Sequence, residues 1–272
     1  MGIIQSIKAV LKNREVLCNP VKLFKNAKKY IIVLPDDEFF LYLFLEPLLN
    51  IGKELTDKGK RVMFLINGDL IWSPELFTGN VMRVNLQSKS NISVVKSELS
   101  ENYRGACYIS CNFPGNILDK QFRTLIRPSV TVSIGSEMSD FNISIVYNGH
   151  YEEFAKSIYG FLCIRRKSIG GFFKIRKLTG SGIGINKELF SEYRGEKIVK
   201  PSIIDNNPTI STLELGKLIN KSRYIVSYKD RIAAIAYLLK KKVVCITNET
   251  GKLPKGMDYC HGLGGEIDYF IE

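Results

Sequence analysis

Short, unbroken apolar runs, each closed by a turn signal and followed by a helical pattern, constrain this 272-residue chain more than any other feature. YIIVLP (30–35), RVMFLI (61–66), VMRVNL (81–86), ACYISCN (106–112) and VTVSIG (130–135) are five such runs, with ISIVYN (143–148) as a sixth. Runs of this kind suit strands buried on both faces of a parallel sheet. Between them lie a leucine-rich helical pattern at 38–58, a polar one ending near Glu101, and helices around 117–126 and 151–163. Alternating strand and helix predicts a doubly wound parallel α/β domain over residues 29–163.

Two further units follow. Residues 164–187 carry seven basic residues, five glycines and no acid, and read as a basic, glycine-rich junction. Residues 188–272 repeat the α/β pattern in reduced form. Strands are expected at 196–201, 223–228 and 242–247, with helices at 210–222 and 230–240. Residues 1–28 form a lead-in. In it Ile3, Ile4, Ile7, Val10 and Leu11 recur at helical spacing opposite Lys8, Lys12 and Arg14, an amphipathic pattern able to touch a membrane surface.

Thirty-nine Lys+Arg against 27 Asp+Glu leave a net charge of +12, so an anionic partner is expected: a membrane surface, a phosphorylated glycan or an acidic protein. Nucleic acid is the weaker candidate, because no RRM, KH, helix-turn-helix or zinc signature is present. No run approaches the ~18–20 apolar residues of a membrane span, and no secretory signal is evident. The expected location is therefore cytoplasmic, with peripheral contact at the inner face of the membrane through the N-terminal helix. Six cysteines without a CxxC pair and only two histidines argue for buried reduced thiols and no metal site. No GxGxxG follows the first strand and no Walker lysine occurs, so nicotinamide and P-loop chemistry are not expected.

In a doubly wound sheet, ligands sit at the carboxyl ends of the strands. Three loops fall there. Asp36, Asp37 and Glu38 follow the first strand and offer either a general base or helix-start acids. Gly180, Gly182 and Gly184 lie in a loop that either frees backbone amides for a phosphate or acts as a hinge. Ser227, Lys229 and Arg231 stand at a strand-to-helix turn, an anion site in principle. The basic surface comprises Arg165, Arg166, Lys167, Lys174, Arg176, Lys177, Lys240, Lys241 and Lys242.

The segment SRYIVSYKDRIAAIAYLLKKKVVCIT (222–247) resembles the late C-terminal part of the heptosyltransferases, glycosyltransferase family 9. There a strand ending in Val-Ser leads into Asn-Asp-Ser/Thr-Gly-Pro-x-His, a helix of small residues and a further strand. The leucine-rich helix carrying Pro47 and the stretch CNFPGNILDKQFRTLIRPSVTVSIGS (111–136) are similar to that family's N-terminal half. The resemblance implies a GT-B architecture, two Rossmann-like parallel-sheet domains with the second reduced, and a nucleotide-sugar donor between them. In its register Tyr228, Lys229, Asp230, Arg231, Ile232 and Ala234 replace the family's Asn, Asp, Ser/Thr, Gly, Pro and His. The place of the catalytic Asp falls on Leu41. The expected protein is a catalytically degenerate, cofactor-free binding or assembly module, with self-association left open. The alternative is an active, metal-independent glycosyltransferase acting on an anionic or lipid-linked glycan. Asp36 or Asp37 would then be the base, and Lys229, Arg231 and the 180–184 loop would hold the diphosphate.

Overall fold

The computed structural model describes residues 19–68, 74–85, 87–111, 117–192 and 201–261. The amphipathic N-terminal segment and all but the last residue of the strand expected at 196–201 lie outside them.

Helix α1 (Pro20–Asn26) leads into the first sheet, and the Asn19 side chain caps it by accepting from Lys22 N. The sheet contains β1 (Lys29–Val33), β2 (Arg61–Asn67), β3 (Asn80–Val84), β4 (Cys107–Ser110), β5 (Val130–Gly135) and β6 (Ile143–Val146). Its order is β3-β2-β1-β4-β5-β6, and every neighbouring pair is parallel. This is the doubly wound arrangement that the apolar runs predict. Helices α2 (Glu38–Leu43) and α3 (Leu45–Asp57) replace the single long helix expected at 38–58. The break falls at Phe44, whose ψ of 2° lets a new helix start. Pro47 then sits in the first turn of α3, where its missing N–H costs nothing. Helices α4 (Lys89–Asn102), α5 (Ile117–Ile126) and α6 (Tyr151–Leu162) complete this lobe.

After the short helix α7 (Ile169–Phe172), the second sheet opens with β7 (Gly182–Asn186), inside the stretch read as a junction. It continues through α8 (Lys187–Glu192), β8 (Ser202–Ile204), α9 (Thr212–Asn220), β9 (Ser222–Tyr228), α10 (Arg231–Leu238), β10 (Lys242–Ile246) and β11 (Asp258–Cys260). The order is β11-β10-β9-β7-β8, again parallel throughout. Ser211 and Glu214 form a reciprocal capping box at the start of α9.

The faces of the first sheet pack against different partners. Ile31, Val33, Met63 and Leu65 pack with Val95, Leu99, Phe122 and Ile126 of α4 and α5. The opposite face, with Tyr30, Ile32, Val62 and Phe64, joins α2, α3 and α6 in a cluster that runs on into Ile225, Ile232, Ile235 and Val243 of the second lobe. Four of the described cysteines are buried, whereas Cys163 is exposed, in a left-handed turn that ends α6.

The chain between the lobes is stitched to α3. Glu46, only 2% exposed, accepts from Arg166 Nε at 2.6 Å and from Ile169 N at 2.9 Å. Asn50 donates to Lys167 O and accepts from Lys167 N, both at 2.8 Å. Glu46→Ala strands a buried amide and a partly buried guanidinium. Urea denaturation of that variant is expected to show a loss of about 3 kcal/mol.

Candidate functional site

The carboxyl ends of β1, β7 and β9 converge where α2 meets α10, and this is where a donor pocket is expected in a two-lobed α/β protein. Three polar residues lock the second-lobe side. Asn186 closes β7 and Ser227 lies near the end of β9; both are fully buried. Asp230 is the N-cap of α10. Ser227 Oγ donates to Asp230 at 2.9 Å, Asn186 Nδ2 donates to Asp230 Oδ2 at 3.0 Å, and Ala233 N donates to Asp230 Oδ1 at 3.1 Å. Ile232 N also donates to this carboxylate. Asn186 Oδ1 in turn accepts from Glu188 N and Leu189 N, capping α8. Burial pushes the Asp230 carboxyl up to about 6, against the pull of these donors.

The amides at the start of α10 are thus already turned onto an internal carboxylate. An anion arriving at this helix N-terminus would meet negative charge where free N–H groups are needed.

Arg231 is fully buried and faces inward. Its Nε donates to Asn206 Oδ1 at 2.6 Å and its Nη2 to Asn207 O at 2.7 Å. The guanidinium therefore fastens the loop before α9 and touches the Tyr42 hydroxyl of the first lobe. Lys229 pairs with Glu249 at 3.3 Å, and its Nζ lies 5.2 Å from the Phe40 ring centroid.

From the first lobe, α2 presents Phe39, Phe40, Leu41 and Tyr42, all nearly or fully buried. The Tyr42 hydroxyl lies 3.4 Å from Thr212 Oγ1 of α9. Asp37 is exposed and caps α2 through a 3.0 Å bond from Phe40 N, the helix-start role weighed from sequence; Asp36 beside it is also exposed. Glu38 points into the junction, and its Oε1 is buried without a hydrogen-bond partner. Burial pushes its carboxyl up to about 7, and the Asp230 charge adds to this. Leu41, at the catalytic place in the family register, is 2% exposed.

The glycine segment leads into and forms an interior strand, β7, between β9 and β8. Gly182 and Gly184 belong to β7 rather than to a loop, and a Cβ on Gly184 would lie 2.7 Å from Ile204 Cδ1 and 2.8 Å from Ile225 Cδ1. Gly180 has φ +124°, and a Cβ there would lie 2.6 Å from the Ser222 backbone. Gly180 and Gly184 thus serve close packing rather than a phosphate, whereas a Cβ on Gly182 would meet nothing within 4 Å.

The basic residues divide by their partners. Arg166 binds Glu46 and Glu152. Lys241 donates to Thr179 O and Asn220 O, and burial lowers its pKa. Lys167 lies over the Phe172 ring, and Lys242 reaches the Tyr224 hydroxyl. Arg165, Lys174, Arg176, Lys177 and Lys240 are exposed. Among the described residues, no three of His, Cys, Asp and Glu gather closely enough to hold a metal ion. No described helix is long and apolar enough to cross a membrane. Sequence reasoning missed Asn186 and Tyr42, and placed Asp230 only as a motif substitution. An Asp between the end of a strand and the start of a helix is the signal by which Asp230 could have been found as a cap.

No family model matches the chain, and no curated protein matches it by sequence. Solved structures do. The chain is similar to E. coli heptosyltransferase WaaC with ADP at a TM-score of 0.56 and 11% identity, over 89% of this chain and 98% of that one. With ADP-2-deoxy-2-fluoro heptose bound, the same enzyme matches at 0.55 and 11% identity, over 85% and 92%. A glycosyl transferase family 9 structure from Veillonella parvula matches at 0.52 and 12% identity, over 90% of each chain. The chain therefore has the two-sheet α/β fold of GT-B glycosyltransferases.

Two outcomes follow from the site. Gly180→Ala forces a Cβ into the Ser222 backbone at an unfavourable φ, and denaturation should record a loss of about 3 kcal/mol. Glu38 binds its proton more tightly folded than unfolded, so its stabilising contribution is complete below about pH 4. It is lost as pH rises towards 7. Glu38→Gln should raise Tm at pH 8 by about 2–4 °C, for roughly 1 kcal/mol after solvent screening, and leave Tm at pH 4 nearly unchanged.

Proposed function

We propose that this protein is a catalytically silent relative of the GT-B glycosyltransferases that works by binding an anionic partner. One observation carries the reading: the polar grip that a nucleotide-sugar needs at the start of α10 is spent on the protein itself. Asp230 takes the helix amides, Arg231 holds the 206–210 loop, and the aromatic face of α2 packs onto α10. A leaving diphosphate needs donors free to meet developing charge, and these donors already have acceptors. A net charge of +12 supports an anionic partner, either a phosphorylated glycan or the cytoplasmic face of a membrane met by the basic side chains and the N-terminal segment.

A second reading rests on Glu38. A carboxyl near 7, at the turn after β1 and facing the second lobe, has the affinity of a general base. It supports an active, metal-independent glycosyltransferase with a rearranged site, in which Asp36 and Asp37 serve the helix start.

Incubation with UDP-, GDP- and ADP-sugars separates the two. The silent reading expects no nucleotide release and no thermal shift. A ligand at 100 times its Kd would add about 2.7 kcal/mol, a shift of several degrees. Nucleotide release that Glu38→Gln or Asp37→Asn abolishes would overturn it.

A further inference from the structure

On the face of the first sheet turned away from the second lobe, α4 and α5 lie side by side above Val95, Leu99, Phe122 and Ile126. Between them runs a groove of about 760 Å³, lined by Lys96, Ser100 and Arg104 on one side and Lys120, Thr124 and Arg127 on the other. Among the described residues, no carboxylate lines it. Among the described residues, none of its four cations is paired with an acid.

The cations are ordered. Each helix joins two parallel strands of one sheet, so the two run in the same direction. Their ends are tied by Gly105 N donating to Ile126 O at 2.9 Å, which brings the flanking Arg104 and Arg127 to one end of the groove. Lys96 and Lys120 lie eight and seven residues upstream, about 12 and 10 Å along helices that rise ~1.5 Å per residue. The groove thus holds an arginine pair and a lysine pair roughly 10–12 Å apart. Between them, the Ser100 and Thr124 hydroxyls donate to their own helix carbonyls, Ser97 O and Lys120 O. Their oxygens remain acceptors for a ligand's O–H groups. Arg127 adds an independent observation. It ends α5 at φ +49°, a left-handed conformation that glycine adopts without steric penalty, yet the position carries a guanidinium facing the groove.

We propose that this groove binds a sugar carrying two phosphate groups, one clasped by Arg104 and Arg127 and the other by Lys96 and Lys120, with sugar hydroxyls donating to Ser100 and Thr124. Arginine forks bind phosphate oxygens in pairs, and lysines supply point charges. Four cations set as two pairs roughly 10–12 Å apart match two phosphates on one small molecule better than the uniform charge of a membrane surface. The proposal deepens the reading of an anionic partner by giving that partner a chemistry and a place, on the side opposite the lobe junction.

The test is calorimetric titration of the intact chain at low salt with fructose 1,6-bisphosphate and fructose 6-phosphate. The bisphosphate should bind roughly tenfold more tightly, the worth of a charge-assisted phosphate contact. Arg127→Gly should weaken it by a similar factor without lowering Tm, and Arg104→Gln should do the same. Lys240→Gln with Lys242→Gln, which together lose two charges against one for either arginine variant but lie outside the groove, should leave affinity within about twofold, as expected where the remaining effect is screened. Equal affinity for the two sugars, no heat at millimolar bisphosphate, or indifference to Arg127→Gly overturns the proposal. So does an Arg127→Gly variant that loses only phosphatidylglycerol vesicles or short single-stranded DNA, which would assign the groove to a membrane or a nucleic acid. Turnover of a nucleotide-sugar would instead sink the silent reading and leave these titrations unchanged.

Discussion

The packing of α2 onto α10 is the contact on which the rest of the architecture depends. Phe39, Phe40 and Tyr42 descend from the first sheet onto Ile232, Ile235 and Ala236, and one apolar cluster crosses from lobe to lobe. Burying a large apolar side chain is worth about 1.5–3 kcal/mol, so several such residues in a shared interface bind the two sheets into one body. A hinged enzyme needs the opposite, a weakly apolar junction that opens for substrate and product. The linker adds to the restraint, since Glu46 and Asn50 fix residues 166–169 against α3.

The buried polar groups at this junction follow the same logic. Asp230 is costly to bury as a carboxylate, yet it accepts from Ser227, Asn186 and two helix amides, so its charge is shared. Arg231 is equally costly, and three loop acceptors receive its protons. Glu38 keeps a buried oxygen without a hydrogen-bond partner, and its proton affinity rises accordingly. Around Asp230 and Arg231 the second-lobe side is therefore self-satisfied, whereas the first-lobe Glu38 carboxylate is not.

Much of the fold was legible because buried parallel strands leave a mark that no helix shares. The runs at 30–35, 61–66 and 130–135 map onto β1, β2 and β5 with small boundary shifts. The helix break at Phe44 was hidden, because apolar residues continue through it and only a backbone torsion marks it. Strand β7 was hidden for a related reason. Gly182 and Gly184 read as flexibility, whereas both lie in the strand and the missing side chain of Gly184 makes room for Ile204 and Ile225. The site was less legible still. Arg231 and Lys229 looked like an anion grip in one dimension; the loop at 206–210 and the Phe40 ring that claim them are distant in sequence. The α4–α5 groove draws single cations from two helices, with no local run to announce it.

Amide hydrogen exchange at the junction tests the fused-lobe account most directly. The backbone amides of Leu41–Leu43 and Ile235–Leu238 should exchange only through global unfolding, with one common free energy that added ADP or UDP leaves unchanged. Exchange of both segments through a shared opening well below the global free energy, slowed by nucleotide, would mean that the lobes part to admit a donor, and the account would be wrong.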